Sequence, residues 1–174
     1  MKFYKQEKPR ICQLTAVQHI WSYFDKDIPT KEISKELPKH AFGNFISELG
    51  LYFESQELKT TLISNQVPFK STNKPFLSSL EEYKKAANFV EGIPNTKYFN
   101  TYSLALVNVD WCKIRFSKGN PGAHYVVLVK EGSFFWLFDG SNYKRKVKKS
   151  FNHLLQASIN INRSRENGMW LFIK

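Results

Sequence analysis

His124-Tyr-Val-Val-Leu-Val-Lys-Glu-Gly-Ser-Phe-Phe-Trp-Leu-Phe-Asp139 is the stretch on which the fold turns. Two apolar runs, 124–129 and 133–138, flank Glu131-Gly132, the pattern of a β-hairpin closed by a tight turn. With Glu131 and Gly132 as a two-residue turn, Lys130 pairs with Ser133. Carried back along the ladder, that register sets His124 directly opposite Asp139. Opposed residues hold their Cβ atoms about 5 Å apart on one face of a sheet. A carboxylate beside an imidazole can fix its tautomer and stabilise the imidazolium. A solvated ion pair at a strand end is the other reading of the same geometry.

Working outward from the hairpin, 102–111 is rich in Leu and Val and alternates, and 169–173 reads as a terminal strand. The front of the chain has a different period. Ala16, Val17, Ile20, Trp21 and Phe24 recur at helical spacing, which predicts an amphipathic helix over 12–24. Thr30 caps a second, short helix over 31–37, and Pro38 ends it. The segments 42–50 and 54–65 read as further helices. Another spans 79–90, with Ser79 as N-cap and Glu81-Glu82 in the favourable first turn. His153 falls in a helical stretch with Leu154 and Leu155. A helical front and an antiparallel back predict an α+β domain of two lobes over 1–174, with a groove where they meet.

Composition narrows the field. The chain has 174 residues, 42% apolar and 24% charged, enough for a core without metal or disulfide staples. No apolar run approaches the roughly 20 residues that cross a bilayer. Residues 1–14 begin with positive charge but have no apolar stretch behind it, which favours a cytosolic chain and leaves leaderless export open. Two cysteines are too few for a disulfide framework.

Cys12 opens the first helix, where unpaired backbone N–H groups and the positive dipole end favour a thiolate. That is a nucleophile's setting; a small buried hydrophobe is the competing reading. Cys112, late in a predicted strand, reads as core. The four histidines separate by geometry. His19 is on the same helix as Cys12 but about 10 Å along the axis, too far for direct contact. His40 follows Pro38 in a turn at the surface, and His153 reads as surface or partly buried. His124 follows the turn-rich Gly119-Asn120-Pro121-Gly122 and opens an apolar strand. Gln6, on the segment leading into the helix, could join the Cys12 N–H as an oxyanion donor.

Gln6, then Cys12 at a helix start, then the strand His124-Tyr-Val-Val-Leu-Val, then Trp-Leu-Phe-Asp139-Gly resembles the papain-like cysteine peptidases, and among them the C39-like group. The likeness runs over most of the chain in order and spacing. It implies a papain-like fold with an N-terminal helical lobe and a C-terminal antiparallel β-sheet lobe. It also implies a Cys12–His124–Asp139 triad with Gln6 in the oxyanion hole. Such a site uses no metal and no cofactor. Two positions depart from the group's pattern. Gln13 follows the cysteine where Gly is usual, which crowds the approach to Cys12, and Gly140 follows Asp139 where Pro is common.

The formal charge is +11, with nine basic and eight acidic side chains in 1–60 against seventeen and seven in 61–174. Five basic residues fall within Lys144–Lys149, expected near the rim of the β lobe. Basic surfaces attract phosphates, but no zinc-finger spacing, RNP-type aromatic motif or P-loop accompanies the charge. An acidic peptide or protein is the more economical partner. Hydrolysis of a peptide bond is the leading reading. Deamidation or acyl transfer would use the same triad, and a non-catalytic basic module recognising an acidic partner or nucleic acid is the alternative.

Overall fold

The computed structural model describes residues 1–7, 11–40, 43–66, 71–115, 122–140, 147–159, 161 and 166–174. Its frame is a seven-stranded sheet: β1 (Thr60–Ser64), β2 (Asn88–Glu91), β3 (Leu104–Asp110), β4 (Ala123–Glu131), β5 (Phe134–Phe138), β6 (Val147–Lys149) and β7 (Met169–Ile173). The spatial order is β2-β1-β7-β3-β4-β5-β6. All pairs are antiparallel except β1 with β2.

Helices cover both faces. On one side α1 (Cys12–Tyr23), α2 (Thr30–Glu36), α3 (Ile46–Ser55) and α4 (Lys74–Ala86) enclose a core with Leu62, Leu106, Val127 and Leu171 of the sheet. On the other, Val107, Val126, Leu128, Trp170 and Phe172 pack with α5 (Trp111–Arg115) and α6 (Phe151–Ser158). Tyr98 and Phe99, from a 3₁₀ turn over Thr96–Asn100, close that second core. Every residue of β1, β3 and β7 is buried, and β7 (Met169-Trp-Leu-Phe-Ile173) accordingly reads as one continuous apolar run. Among the described residues, no helix is long and apolar enough to cross a membrane.

The α+β class holds, with strands reaching further forward than the sequence implied. The segment 54–65 is not a helix. α3 stops at Ser55, Glu57 takes a left-handed conformation (φ 66°), and Thr60-Thr61-Leu62-Ile63, β-branched at all but Leu62, pairs with β7 instead. Glu54 Oε1 accepts the Thr60 N–H at 2.5 Å and so anchors the turn into β1. The helix expected over 79–90 begins five residues earlier. Asn73 Oδ1 caps it by accepting from Phe76 N–H at 2.8 Å, with Pro75 in the first turn. Ser79 is therefore an interior residue, its hydroxyl against Ser47 Oγ at 2.7 Å, and 88–91 leaves the helix to become β2. Cys112 lies in α5 and is half-buried, not a strand residue of the core.

The hairpin register also differs. Lys130 pairs with Phe135 and Val127 with Phe138, two positions out of step with a Lys130–Ser133 pair. The loop is Gly132-Ser133, with Gly132 at φ 59°. A two-residue hairpin turn wants a left-handed first residue, and glycine supplies it at least cost. His124 and Asp139 are consequently diagonal neighbours, not opposed ones.

Candidate active site

The corner forms where the helical layer meets the open end of β4 and β5. Cys12 is the first residue of α1 and is half-buried. The preceding Ile11 has no polar side chain to cap the helix, and the first turn carries no acidic residue. The positive end of α1 is thus left to the sulfur. The helix is held there by its apolar face: Ala16, Val17, Ile20 and Trp21 are buried, and Trp21 Nε1–H donates to Tyr52 OH at 2.9 Å.

His124 and Asp139 are both buried, and His124 Nε2 lies 2.6 Å from Asp139 Oδ1. A register error of two preserves the side-chain alternation, so the pair still projects to one side and diagonal reach suffices. His124 also hydrogen-bonds Cys12. Burial pushes the imidazole down, but its bond to Asp139 and its bond and charge interaction with Cys12 outweigh that and lift it to about 9. Burial pushes the Cys12 thiol up. His124, then the backbone N–H groups of Tyr125 and Gln13, overcome it and hold the thiol below its ordinary value. Each partner favours the other's charged form, the electrostatics of a thiolate–imidazolium pair.

Gln6 is drawn to the same corner. Its N–H donates to Gly140 O at 2.6 Å, one residue past Asp139. A Cβ on Gly140 would lie 2.3 Å from Thr15 Cγ2, so glycine here lets the end of β5, the N-terminal segment and α1 close on one another. His19 makes its hydrogen bonds away from Cys12 and His124, though the charge of Asp139 reaches it. It is fully buried, and its Nε2 sits 2.9 Å from Tyr4 N and 3.1 Å from Tyr4 O, so it clasps the segment that carries Gln6. Burial holds His19 down at about 4, and it stays neutral. His40 is exposed and pairs with Glu48 at 2.6 Å. Half-buried His153 lies in α6.

Three contacts were not legible in the sequence. The Tyr125 N–H reaches Cys12, the Gln13 side chain folds back onto the sulfur, and buried Glu166 accepts from Tyr125 OH, Asn108 Nδ2 and Ile46 N–H. Glu166 ties β4 to the start of α3, but in sequence it is one acid in an Asn/Arg-rich stretch with no pattern to mark it. Residues 119–121 of the loop before His124 lie outside the described residues. So do 144–146 of the basic run, whose remainder is the edge strand β6.

The fold is that of C39-like, papain-like peptidase domains. The chain is similar to the peptidase domain of Streptococcus ComA, a bi-functional ABC transporter involved in a quorum sensing pathway. That likeness has a TM-score of 0.57, 12% identity, and coverage of 99% of this chain and 96% of the other. It is also similar to a putative C39-like peptidase from Bacillus anthracis, with a TM-score of 0.56, 13% identity, and coverage of 99% and 94%. No family model and no curated protein matches the chain.

Proposed function

We propose that this chain is a cysteine peptidase that cleaves peptide bonds by acyl transfer through Cys12, His124 and Asp139. The observation that carries the reading is the contact chain at the corner. Asp139 holds His124 at 2.6 Å, His124 bonds Cys12, and the two titrating groups shift toward the ion pair. The C39-like fold supports it.

In this mechanism the Cys12 thiolate attacks the scissile carbonyl carbon. The Gln6 side-chain amide and the Cys12 N–H stabilise the oxyanion. The His124 imidazolium gives its proton to the leaving amine, and a thioester on Cys12 remains. Neutral His124 then takes a proton from water, whose oxygen attacks the thioester and releases the carboxylic acid and the free thiol. With Nε2 on Asp139, Nδ1 is the ring nitrogen that exchanges the proton, and Asp139 keeps the ring turned toward the sulfur. No metal or cofactor enters these steps. The +11 charge supports an acidic peptide as substrate.

Trapping with a library of electrophilic peptides, followed by mass spectrometry, tests the reading. Adducts should form on Cys12, and the captured side chains report the preference. A new peptide carboxyl terminus in a turnover assay identifies hydrolysis, and coupling to an added amine identifies transfer. Equal, slow labelling of Cys12 and Cys112, or full activity in Cys12→Ala, would overturn it.

A further inference from the structure

Gln13 has three properties that packing alone does not require together. Its side chain is buried (6% exposed), its Oε1 lies 3.5 Å from Cys12 Sγ, and its amide rests against a backbone position that leaves room for it. That position is Gly43. A Cβ there would lie 1.9 Å from Gln13 Nε2, and the residue sits at φ 87°, so both space and backbone call for glycine. The amide therefore lies between the sulfur on one side and the segment leading into α3 on the other.

The other groups at the sulfur all suit a thiolate: the His124 ring and the N–H groups of Tyr125 and Gln13. The Gln13 carbonyl oxygen is the exception, because it can accept a proton from S–H but repels S⁻. An amide carries an acceptor and a donor at nearly superimposable positions, and its terminal torsion is soft. Half a turn exchanges Oε1 for Nε2–H in the same place.

Resting on the peptidase reading above, we propose that Gln13 is a further catalytic residue, an amide that accepts from the Cys12 thiol and turns to donate to the thiolate. The S–H proton passes to His124, and the Gln13 N–H takes the place that the oxygen held, so no further reactant is needed. A neutral donor at hydrogen-bond distance favours the anion without adding charge. Among the described residues, the charged and titratable groups around the corner are His124 and Tyr125 from β4, Asp139 past β5, His19 of α1 acting through Asp139, and Glu166 and Glu48 acting through Tyr125. A neutral replacement of Gln13 alters none of them.

The experiment is the pH profile of iodoacetamide labelling at Cys12 in a Cys112→Ser background, for wild type, Gln13→Met and Gln13→Glu. Met keeps the volume and removes the donor, and Glu keeps the shape and presents only acceptors. The midpoint should rise by about one pH unit in Gln13→Met, a tenfold slower reaction on the acid side. It should rise further in Gln13→Glu, with a melting temperature for Gln13→Met close to wild type. If Gln13→Glu does not fold, the Met variant carries the test alone. Wild-type midpoints in the variants overturn this inference and leave the peptidase reading standing. In the unsubstituted chain, which keeps both thiols, Cys12 that labels no faster than Cys112 overturns both.

Discussion

Cys12 and Cys112 make a natural experiment within one chain. Each sits in the first turn of a helix, Cys12 at the start of α1 and Cys112 second in α5, and each is half-buried. Their surroundings differ. The Cys112 N–H is bound by the Asp110 carboxylate at 3.0 Å, so an anion already occupies the positive end of that short helix. The first turn of α1 has no acid and no side-chain cap, and an imidazole from another element meets the sulfur. A helix start therefore favours a thiolate, and the sheet decides whether an imidazole meets it.

The comparison can be broken most directly by exchange of the two thiols. Cys12→Ala should lower peptide turnover at least about 10³-fold, the scale of losing a covalent nucleophile. Cys112→Ala should stay within about twofold of wild type, measured on any peptide the trapping library returns. Asp139→Asn comes next, with an expected loss of about 10²–10⁴-fold in kcat, because the ring loses its anionic orienter. Iodoacetamide labelling should slow at Cys12 and hold its rate at Cys112.

The pH dependence sharpens the same contrast. The Cys12 thiol is lowered and His124 is raised to about 9, so the ion pair exists between the two. Turnover should rise with pH as the thiolate forms, plateau, and fall as His124 loses its proton near 9. Stability has its own acid limb through His19, whose folded value of about 4 lies below the unfolded value of about 6.5. Its contribution is complete above the unfolded value and is lost as pH falls from there toward 4, since only the unfolded chain takes the proton. Denaturant titrations at pH 7 and pH 4.5 should show a smaller acid loss in His19→Gln.

The smallest effect belongs to the packing behind Cys12. Gly140→Ala forces a Cβ to within 2.3 Å of Thr15 Cγ2 and should cost about 1–3 kcal/mol of stability. Thr15→Ala in the same chain should return most of that, and a double-mutant cycle by denaturant titration checks the coupling. Labelling at Cys112 should not change.

Part of this corner is written in the local sequence. Cys12 stands out in the sequence by its place at a helix start, and the hairpin carries His124 and Asp139 toward each other. The expected register was wrong by two positions, yet the pair survived because side-chain direction in a strand repeats every two residues. Gln6 came from order and spacing, and the fold brings its backbone to Gly140. The segments 54–65 and 79–90 failed for another reason. Thr60–Ser64 and Asn88–Glu91 are strands because β7 and each other offer partners, which local periodicity does not report.

The sequence by itself determined the helix that opens at Cys12, the hairpin after His124 and the approach of His124 to Asp139, because periodicity and turn chemistry are local. Only the tertiary structure decided that the Tyr125 N–H would reach the sulfur, that Gly43 would make room for the Gln13 amide, and that Glu166 would bind β4 to α3. Those contacts join residues far apart in the chain, and their worth comes from exclusion of water in a corner that exists only when both layers are packed.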